Sequence, residues 1–305
     1  MAQSQYQNAN LSKIDLSQLP APTIIEPLDY ETIYRQQLIN FRSDNPQFVD
    51  NDIVESDVVV KLLETTSYRE LLLRQRINDA VKGVLVSFAH GSDLDQIAAR
   101  FGVVRQTVTP ADTLNNVSAV IETDDSLLNR ILLAPSGFSV AGPADAYRFH
   151  ALSADGRVFD ASATSPEAGT VLVSVLSNEN DGTASSEILQ KVNAHLTADD
   201  IRPLTDYVIV KSAEIIPFSV DATLKFYAGP SAAIVQQNAI DRLNNYLKNS
   251  RKIGRDITIA ALHAALTVEG VQNVILNSPT VDIVISDTQA GYCKSINISN
   301  GGIAE

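Results

Sequence analysis

The 305 residues carry 23 Lys+Arg against 36 Asp+Glu, a formal charge of −13 that makes nucleic acid and anionic membranes poor partners, because binding there relies on basic groups displacing counterions. With 45% apolar and 19% charged residues the chain is not compositionally disordered, and at roughly 150 residues per domain its length suggests about two domains. The single cysteine, Cys293, leaves no internal disulfide and no cysteine-rich metal site, which fits a cytosolic origin.

Met1 to Asn10 is polar and lacks the basic-then-apolar order of a signal peptide. No run approaches the ~18 consecutive apolar residues that a membrane span needs, so a soluble chain is expected. Leu19-Pro20-Ala21-Pro22 reads as extended, since proline fixes its own backbone angle and biases the preceding residue away from helix. Asp29 then caps a predicted helix carrying Tyr30, Ile33, Tyr34, Leu38 and Phe41 on one face, which ends before Asn45-Pro46.

A long helix is predicted from Ser56 to Phe88, about 50 Å if unbroken, with Gly83 its weak point. At about 100° per residue, Val59, Leu62, Leu63, Thr66, Leu73, Ile77, Ala80, Val81, Val84 and Phe88 share a face that belongs in a core. The opposite face is mostly polar, yet Val60, Tyr68, Leu71 and Leu72 interrupt it with a second apolar patch. Either the Asp29 helix or another subunit is expected to cover that patch.

Ser92 is the predicted cap of a short helix, with Asp95 reaching back to it, and Gly102 suits a left-handed stop. From Val117 the period changes to two, and strands are predicted at Val117–Ile121, Tyr147–Leu152, Val158–Ala161 and Thr170–Leu176. Ala154-Asp155-Gly156-Arg157 reads as a hairpin turn between two of them. Ser186 is expected to cap a helix through Leu196, followed by strands at Tyr207–Lys211 and Ile215–Tyr227, with Pro217 tolerable at an edge. Helices at Ser231–Lys248 and Thr258–Leu266 and strands at Val271–Leu276 and Val281–Ile285 complete two small α+β units rather than one wound sheet.

Catalytic signatures are absent from the sequence. The four histidines are scattered without the His-Glu-x-x-His spacing, and no Gly-x-Ser-x-Gly elbow or phosphate-cradling glycine loop occurs. Ser177 to Gly182 resembles a calcium loop, but Ile188 falls where the bidentate carboxylate must be, so the stretch reads as turn chemistry. The acid pairs Asp93/Asp95, Asp124/Asp125 and Asp199/Asp200 sit beside turns or helix starts, where carboxylates stabilise free backbone N–H groups. Lys248, Arg251, Lys252 and Arg255 form one local basic cluster, either a solvated helix end or a site for an acidic partner. No cofactor and no metal is expected.

Asp15-Leu16-Ser17-Gln18-Leu19-Pro20-Ala21-Pro22, Glu55-Ser56-Asp57, the run Arg69 to Ala80 and Gly91-Ser92-Asp93-Leu94-Asp95 resemble, in order and spacing, the baseplate J-like protein family of contractile-tailed phages. Ala141-Gly142-Pro143, the run Tyr147 to Asp155 and Arg202-Pro203-Leu204-Thr205-Asp206 continue the resemblance, which covers roughly Asp15 to Pro279. His90 departs from the family pattern, and the tail after Pro279 matches nothing in it.

The resemblance implies a non-enzymatic wedge subunit that packs with copies of itself and other wedge proteins around a central hub and spike. It also implies a virion tail baseplate location after assembly in the host cytoplasm, and a long helix that joins an inter-subunit bundle. The expected fold is α+β, divided into an extended arm (1–22), a helical region (23–104), a β-rich domain (105–177), α+β modules (178–285) and a tail (286–305). Tyr68, Leu71 and Leu72, with Arg74 and Arg76 as polar anchors, are the expected partner-contact residues. The rival readings are a receptor-binding tail protein and a cell-wall hydrolase, the latter needing two carboxylates converging on a groove.

Overall fold

The computed structural model describes residues 16, 19, 20, 22–48, 54–139, 141–229 and 231–304. Most of the arm expected over 1–22 therefore lies outside the described residues. The chain divides into two compact units, one reaching to Val104 and the other beginning at Arg105.

The first unit is helical. Helix α1 (Tyr30–Asp44) starts as expected from Asp29, whose carboxylate accepts hydrogen bonds from the Glu31 and Thr32 backbone N–H groups, and Asn45 ends it. Helix α2 (Val58–Gly83) is shorter than its predicted span. It stops at Gly83, and Val84 to Phe88 continues in turns in which Leu85 N–H donates to Lys82 and Phe88 N–H to Leu85, so the helix is about 39 Å long. Helix α3 (Gly91–Arg100) begins before Ser92, with His90 as the capping residue and no side-chain cap, so the Ser92–Asp95 capping box does not form. Its end is as predicted. Gly102 adopts φ +68°, Val103 N–H donates to Ala98 and Gly102 N–H donates to Ala99, the paired bonds of a left-handed helix stop.

The second unit begins with β1 (Thr107–Thr109) paired antiparallel to β2 (Val120–Ile121). Only these two residues of the predicted Val117–Ile121 strand are extended, Val117 making an isolated bridge to Asp112. Helices α4 (Asp124–Gly137) and α5 (Ala144–Ala154) follow, inside the stretch expected to be β-rich. Residues Tyr147–Leu152 are therefore helical, not a strand. Their buried members, Ala146, Tyr147, Ala151 and Leu152, recur at a helical spacing that two-residue alternation of Tyr147, Phe149 and Ala151 had imitated.

Strands β3 (Val158–Thr164), β4 (Thr170–Ser177) and β5 (Tyr207–Ser212) form a three-stranded sheet in that order. The first pair is antiparallel and the second parallel, with α6 (Ser186–Leu196) making the crossover. Ser185 rather than Ser186 caps α6, accepting from Ile188 N–H. Alternate sheet residues Val173 and Val175 pack against Tyr147, Ala151 and Leu152 of α5 and against Ile188, Val192 and Leu196 of α6. The Asp155-Gly156 turn links α5 to β3 instead of joining two strands. Asp155 accepts from Arg157 N–H, pairs with the Arg157 guanidinium at 2.8 Å and with Lys191 at 3.0 Å, and the Arg157 bond holds its carboxyl well below the usual carboxylate range. A Cβ on Gly156 would lie 2.8 Å from the Thr107 carbonyl oxygen, so this turn needs glycine for space.

The last module is the sheet β7-β6-β8, built from β6 (Glu214–Phe226), β7 (Val271–Ser278) and β8 (Gln289–Ile303). Its inner face, with Val220, Ala222, Leu224 and Phe226, packs on α7 (Ala232–Ser250) and α8 (Ile259–Leu266). Pro217 lies where β6 is flanked by β8 alone, since pairing with β7 starts at Asp221, which accords with its edge-like reading. The strand predicted at Val281–Ile285 is reduced to a bridge between Ile283 and Ile257. Asp282 and Asp256 side chains accept from Ile259 and Ile285 N–H there, replacing ladder bonds. The fold is thus α+β, with helices and strands interleaved in small sheets.

A buried ion pair ties the start of this unit together. Arg130 lies 2.6 Å from Glu122, with side-chain exposures of 6% and 3%, and Glu122 also accepts from Gln106 N–H and the Ser126 hydroxyl. Removing one partner of such a pair strands the other charge, so Glu122→Ala is expected to lower unfolding free energy by about 3–5 kcal/mol in urea denaturation. A loss below ~1 kcal/mol would show that water reaches the site.

His150 on α5 and His195 on α6 face each other with ring centroids 5.6 Å apart. Burial pushes both below the usual histidine value. The Gly137 carbonyl near His150 and Asp200 near both oppose the shift, while His195 reinforces it on His150. The folded state therefore takes up protons on these rings less readily than the unfolded chain does. Stability from these groups is complete above the ordinary histidine pKa of about 6.5 and is lost as pH falls through it toward the lower folded values. Urea midpoints from pH 8 to pH 5 should fall less steeply in His195→Gln than in the unaltered chain, and equal slopes would remove the histidine pair as the cause.

A candidate assembly surface on the long helix

Beside the buried apolar side chains Ile33 of α1 and Val60 of α2, polar groups of α1 and of the segment before it bond to α2. Gln37 of α1 accepts from the Thr66 hydroxyl at 2.7 Å and the Ser67 hydroxyl at 3.0 Å, and its amide donates to Glu70 at 2.9 Å. Asn78 accepts from Glu26 N–H and donates to the Glu26 carbonyl, and Tyr30 reaches the Glu64 carbonyl. Arg74 pairs with Glu26 at 2.9 Å and with Glu70 at 2.7 Å. The bond from Gln37, followed by those from Arg74, lowers the Glu70 pKa, and Glu70 raises that of Arg74. The buried residues of α2 are accordingly Val60, Ser67 and Asn78, a line in which two of three need hydrogen-bond partners and have them.

Of the apolar stripe expected in a core, Leu62, Leu73, Ile77 and Val84 are open to solvent, whereas Val59, Leu63, Val81 and Phe88 are half-buried. Leu62 is 63% exposed, Leu73 62%, Ile77 56% and Val84 63%. Thr66 and Ala80 on the same face are exposed as well. Periodicity located the stripe correctly, but the polar side of α2 is the side that α1 covers. Leu73, Ile77, Ala80 and Val84 follow one another three and four residues apart and form an exposed row, with Leu62 standing about a further three turns toward the helix start.

Of the residues singled out on the second patch, Tyr68 is 55% and Leu72 47% exposed, while Leu71 is half-buried. Arg74 is occupied by its two carboxylates. Arg76 is exposed and lines a groove of about 460 Å³ with Asp79, Ala80, Gly83, Val84 and Ile97. The groove continues the apolar stripe at Ala80 and Val84. Tyr68, Leu72 and Arg76 thus share the surface with the stripe, and Leu71 and Arg74 are turned to neighbours within the chain.

Nothing in these positions suits covalent chemistry. Among the described residues no three His, Cys, Asp or Glu side chains cluster as metal ligands, and no helix is long and apolar enough to cross a membrane. Burial pushes the Cys293 thiol up, away from the thiolate that a nucleophile requires. The exposed apolar row was legible in the sequence, but its direction was not, because the signal for it was the partner-demanding Ser67 and Asn78 on the opposite side.

Comparison with known proteins places the chain. Residues 55–112 match the baseplate J-like N-terminal domain, 139–212 the baseplate J-like central domain, and 218–299 the C-terminal domain of the baseplate J-like protein, so the family match continues past Pro279, the expected end of the resemblance. Baseplate protein J of Escherichia phage P2 is 43% identical over 299 residues, covering 96% of this chain and 99% of its own length. Among solved structures, the chain is similar to one in the anti-feeding prophage baseplate determined by cryo-electron microscopy, at 15% identity and a TM-score of 0.38. That likeness covers 59% of this chain and 43% of the other. The family assignment rests on the three domain matches and the phage P2 relative: the chain belongs to the baseplate J-like family and is a structural protein of the phage tail baseplate.

Proposed function

We propose that the chain is a baseplate wedge subunit. It assembles with copies of itself and with other wedge proteins into a ring around the central hub and spike, and the ring rearranges when the sheath contracts. The observation that carries this reading is the open stripe Leu62, Leu73, Ile77 and Val84, which a folded chain of this composition leaves outside its own core. In this reading the helical region supplies contacts to partner helices, through the stripe and through the exposed Tyr68, Leu72 and Arg76 on the second patch, and the later α+β modules join neighbouring wedges. Assembly takes place in the host cytoplasm, and no enzymatic step is involved.

The test is co-expression with the neighbouring tail proteins, followed by sizing of the complex. Replacing Leu62, Leu73 and Ile77 together by serine should alter the stability of the isolated chain by less than about 1.5 kcal/mol in total, since each site is exposed. The same variant should lose the co-purifying partners. Retention of the complex at the yield of the unaltered chain would overturn the assignment of this stripe, and absence of any partner with the unaltered chain would overturn the wedge reading itself.

A further inference from the structure

Strand β8 is an edge strand, hydrogen-bonded along its length to β6 alone, apart from an isolated bridge between Ile253 and Ala290 at its start. Protein edges are ordinarily blunted by charge, proline or a covering element, because unpaired backbone groups are a template for another strand. From Ser295 to Ile303 this edge carries no charge and no proline. Ile296 and Ile303 are exposed on it.

The register on β6 fixes the two faces. Ser295, Asn297 and Ser299 sit beside Ser219, Asp221 and Thr223, and hydrogen bonds of 2.9, 2.8 and 2.8 Å join the three pairs on the outer face. Ile296 and Ile298 sit beside Val220 and Ala222, on the face that packs on the helices. The sequence here is Ser295-Ile296-Asn297-Ile298-Ser299, which reads the same in both directions. In an antiparallel pair of two such strands centred on Asn297, each isoleucine meets an isoleucine, each serine meets a serine, and both faces keep their character. A one-residue slip would instead put serine and asparagine against isoleucine.

We infer that β8 pairs with β8 of a second copy, antiparallel about a two-fold axis through Asn297, extending the sheet β7-β6-β8 into six continuous strands. This deepens the proposal that the later modules join neighbouring wedges and rests on it. The occupant is a second copy because a two-fold contact requires a self-complementary strand, and Ser295–Ser299 is one. Gln236 of α7 already donates to the Ile298 carbonyl at 2.7 Å, and a carbonyl oxygen with two lone pairs accommodates a second donor. Exposed Ile296 would lie against Ile298 of the second copy.

Cysteine cross-linking of the full chain tests the axis. With Cys293→Ser as background, Asn297→Cys places a thiol opposite its own copy, in reach of a disulfide. Mild oxidation should give a dimer as the main product, both for the purified chain at high concentration and in the co-expressed baseplate complex. Ser295→Cys alone should stay near background, because its opposite number is Ser299, whereas a mixture of Ser295→Cys and Ser299→Cys chains should cross-link. Charge gives a second readout. Ser295→Lys with Ser299→Lys should weaken self-association by about fivefold or more, and Ser295→Lys with Ser299→Glu should restore it. Thermal melts establish that each variant is folded. Equal cross-linking of Asn297→Cys and Ser295→Cys in both settings would overturn the pairing, as would an Asn297→Cys adduct to a different protein. Either result leaves the wedge reading intact, because co-purification of partners is scored separately.

Discussion

The arrangement of the helical unit depends on which side of α2 is covered. Ser67 and Asn78 are buried and must be hydrogen-bonded, and Gln37 and Glu26 meet that demand from the segment leading into and through α1. A buried polar group left unmatched costs about 1–3 kcal/mol, while each satisfied bond contributes only about 0.5–1.5 kcal/mol net. The polar contact therefore gives α1 a defined seat more than a strong one. It also commits the apolar side of α2 to solvent. Fully burying a Leu, Ile or Val side chain stabilises by about 1.5–3 kcal/mol, and the four stripe residues retain more than half of that surface for a partner.

The second unit follows the opposite logic, with apolar faces turned inward and polar faces outward. In β6 the alternation is strict from Ser219 to Phe226: even positions enter the core, and Ser219, Asp221 and Thr223 join a polar ladder shared with β7 and β8. Strands β5 and β6 are separated by Ala213 alone. That residue is buried with Leu176 and Ala290, and Ile215 and Ile253 pack against them. The two α+β modules thus share a small apolar joint.

Local signals in the sequence were sufficient where the structure is local. The Asp29 cap, the Gly102 stop, strands β3, β4 and β7, and helices α6, α7 and α8 follow from capping residues and periodicity within a few positions of their observed ends. The failures are of two kinds, non-local pairing and misleading local signals. Strand β8, with its Ser, Asn and Gly content, has little strand propensity of its own and is extended because β6, 76 residues earlier by the Ser219–Ser295 pairing, supplies the ladder. Helix α4 contains Pro135 and ends in glycine, which masked it despite the Thr123 cap and the acids at Asp124 and Asp125. For the candidate surface, periodicity gave the angular position of every apolar residue on α2, but no pattern within one helix states which face its neighbour will cover.

A two-fold contact has a consequence for any ring. An isologous pair uses the same patch on both copies and is exhausted at two, so copies joined only through β8 would stop as dimers. A closed ring requires a second contact made by a different surface. The stripe on α2 is such a surface: it lies in the other unit, and it is apolar where the β8 edge presents backbone hydrogen-bonding groups. A chain that carries one symmetric edge and one separate apolar face has the minimum set of contacts from which pairs can be linked around a common centre. Loss of the β8 contact and loss of the stripe should then yield different dead ends, unpaired partner complexes in the first case and isolated dimers of this chain in the second.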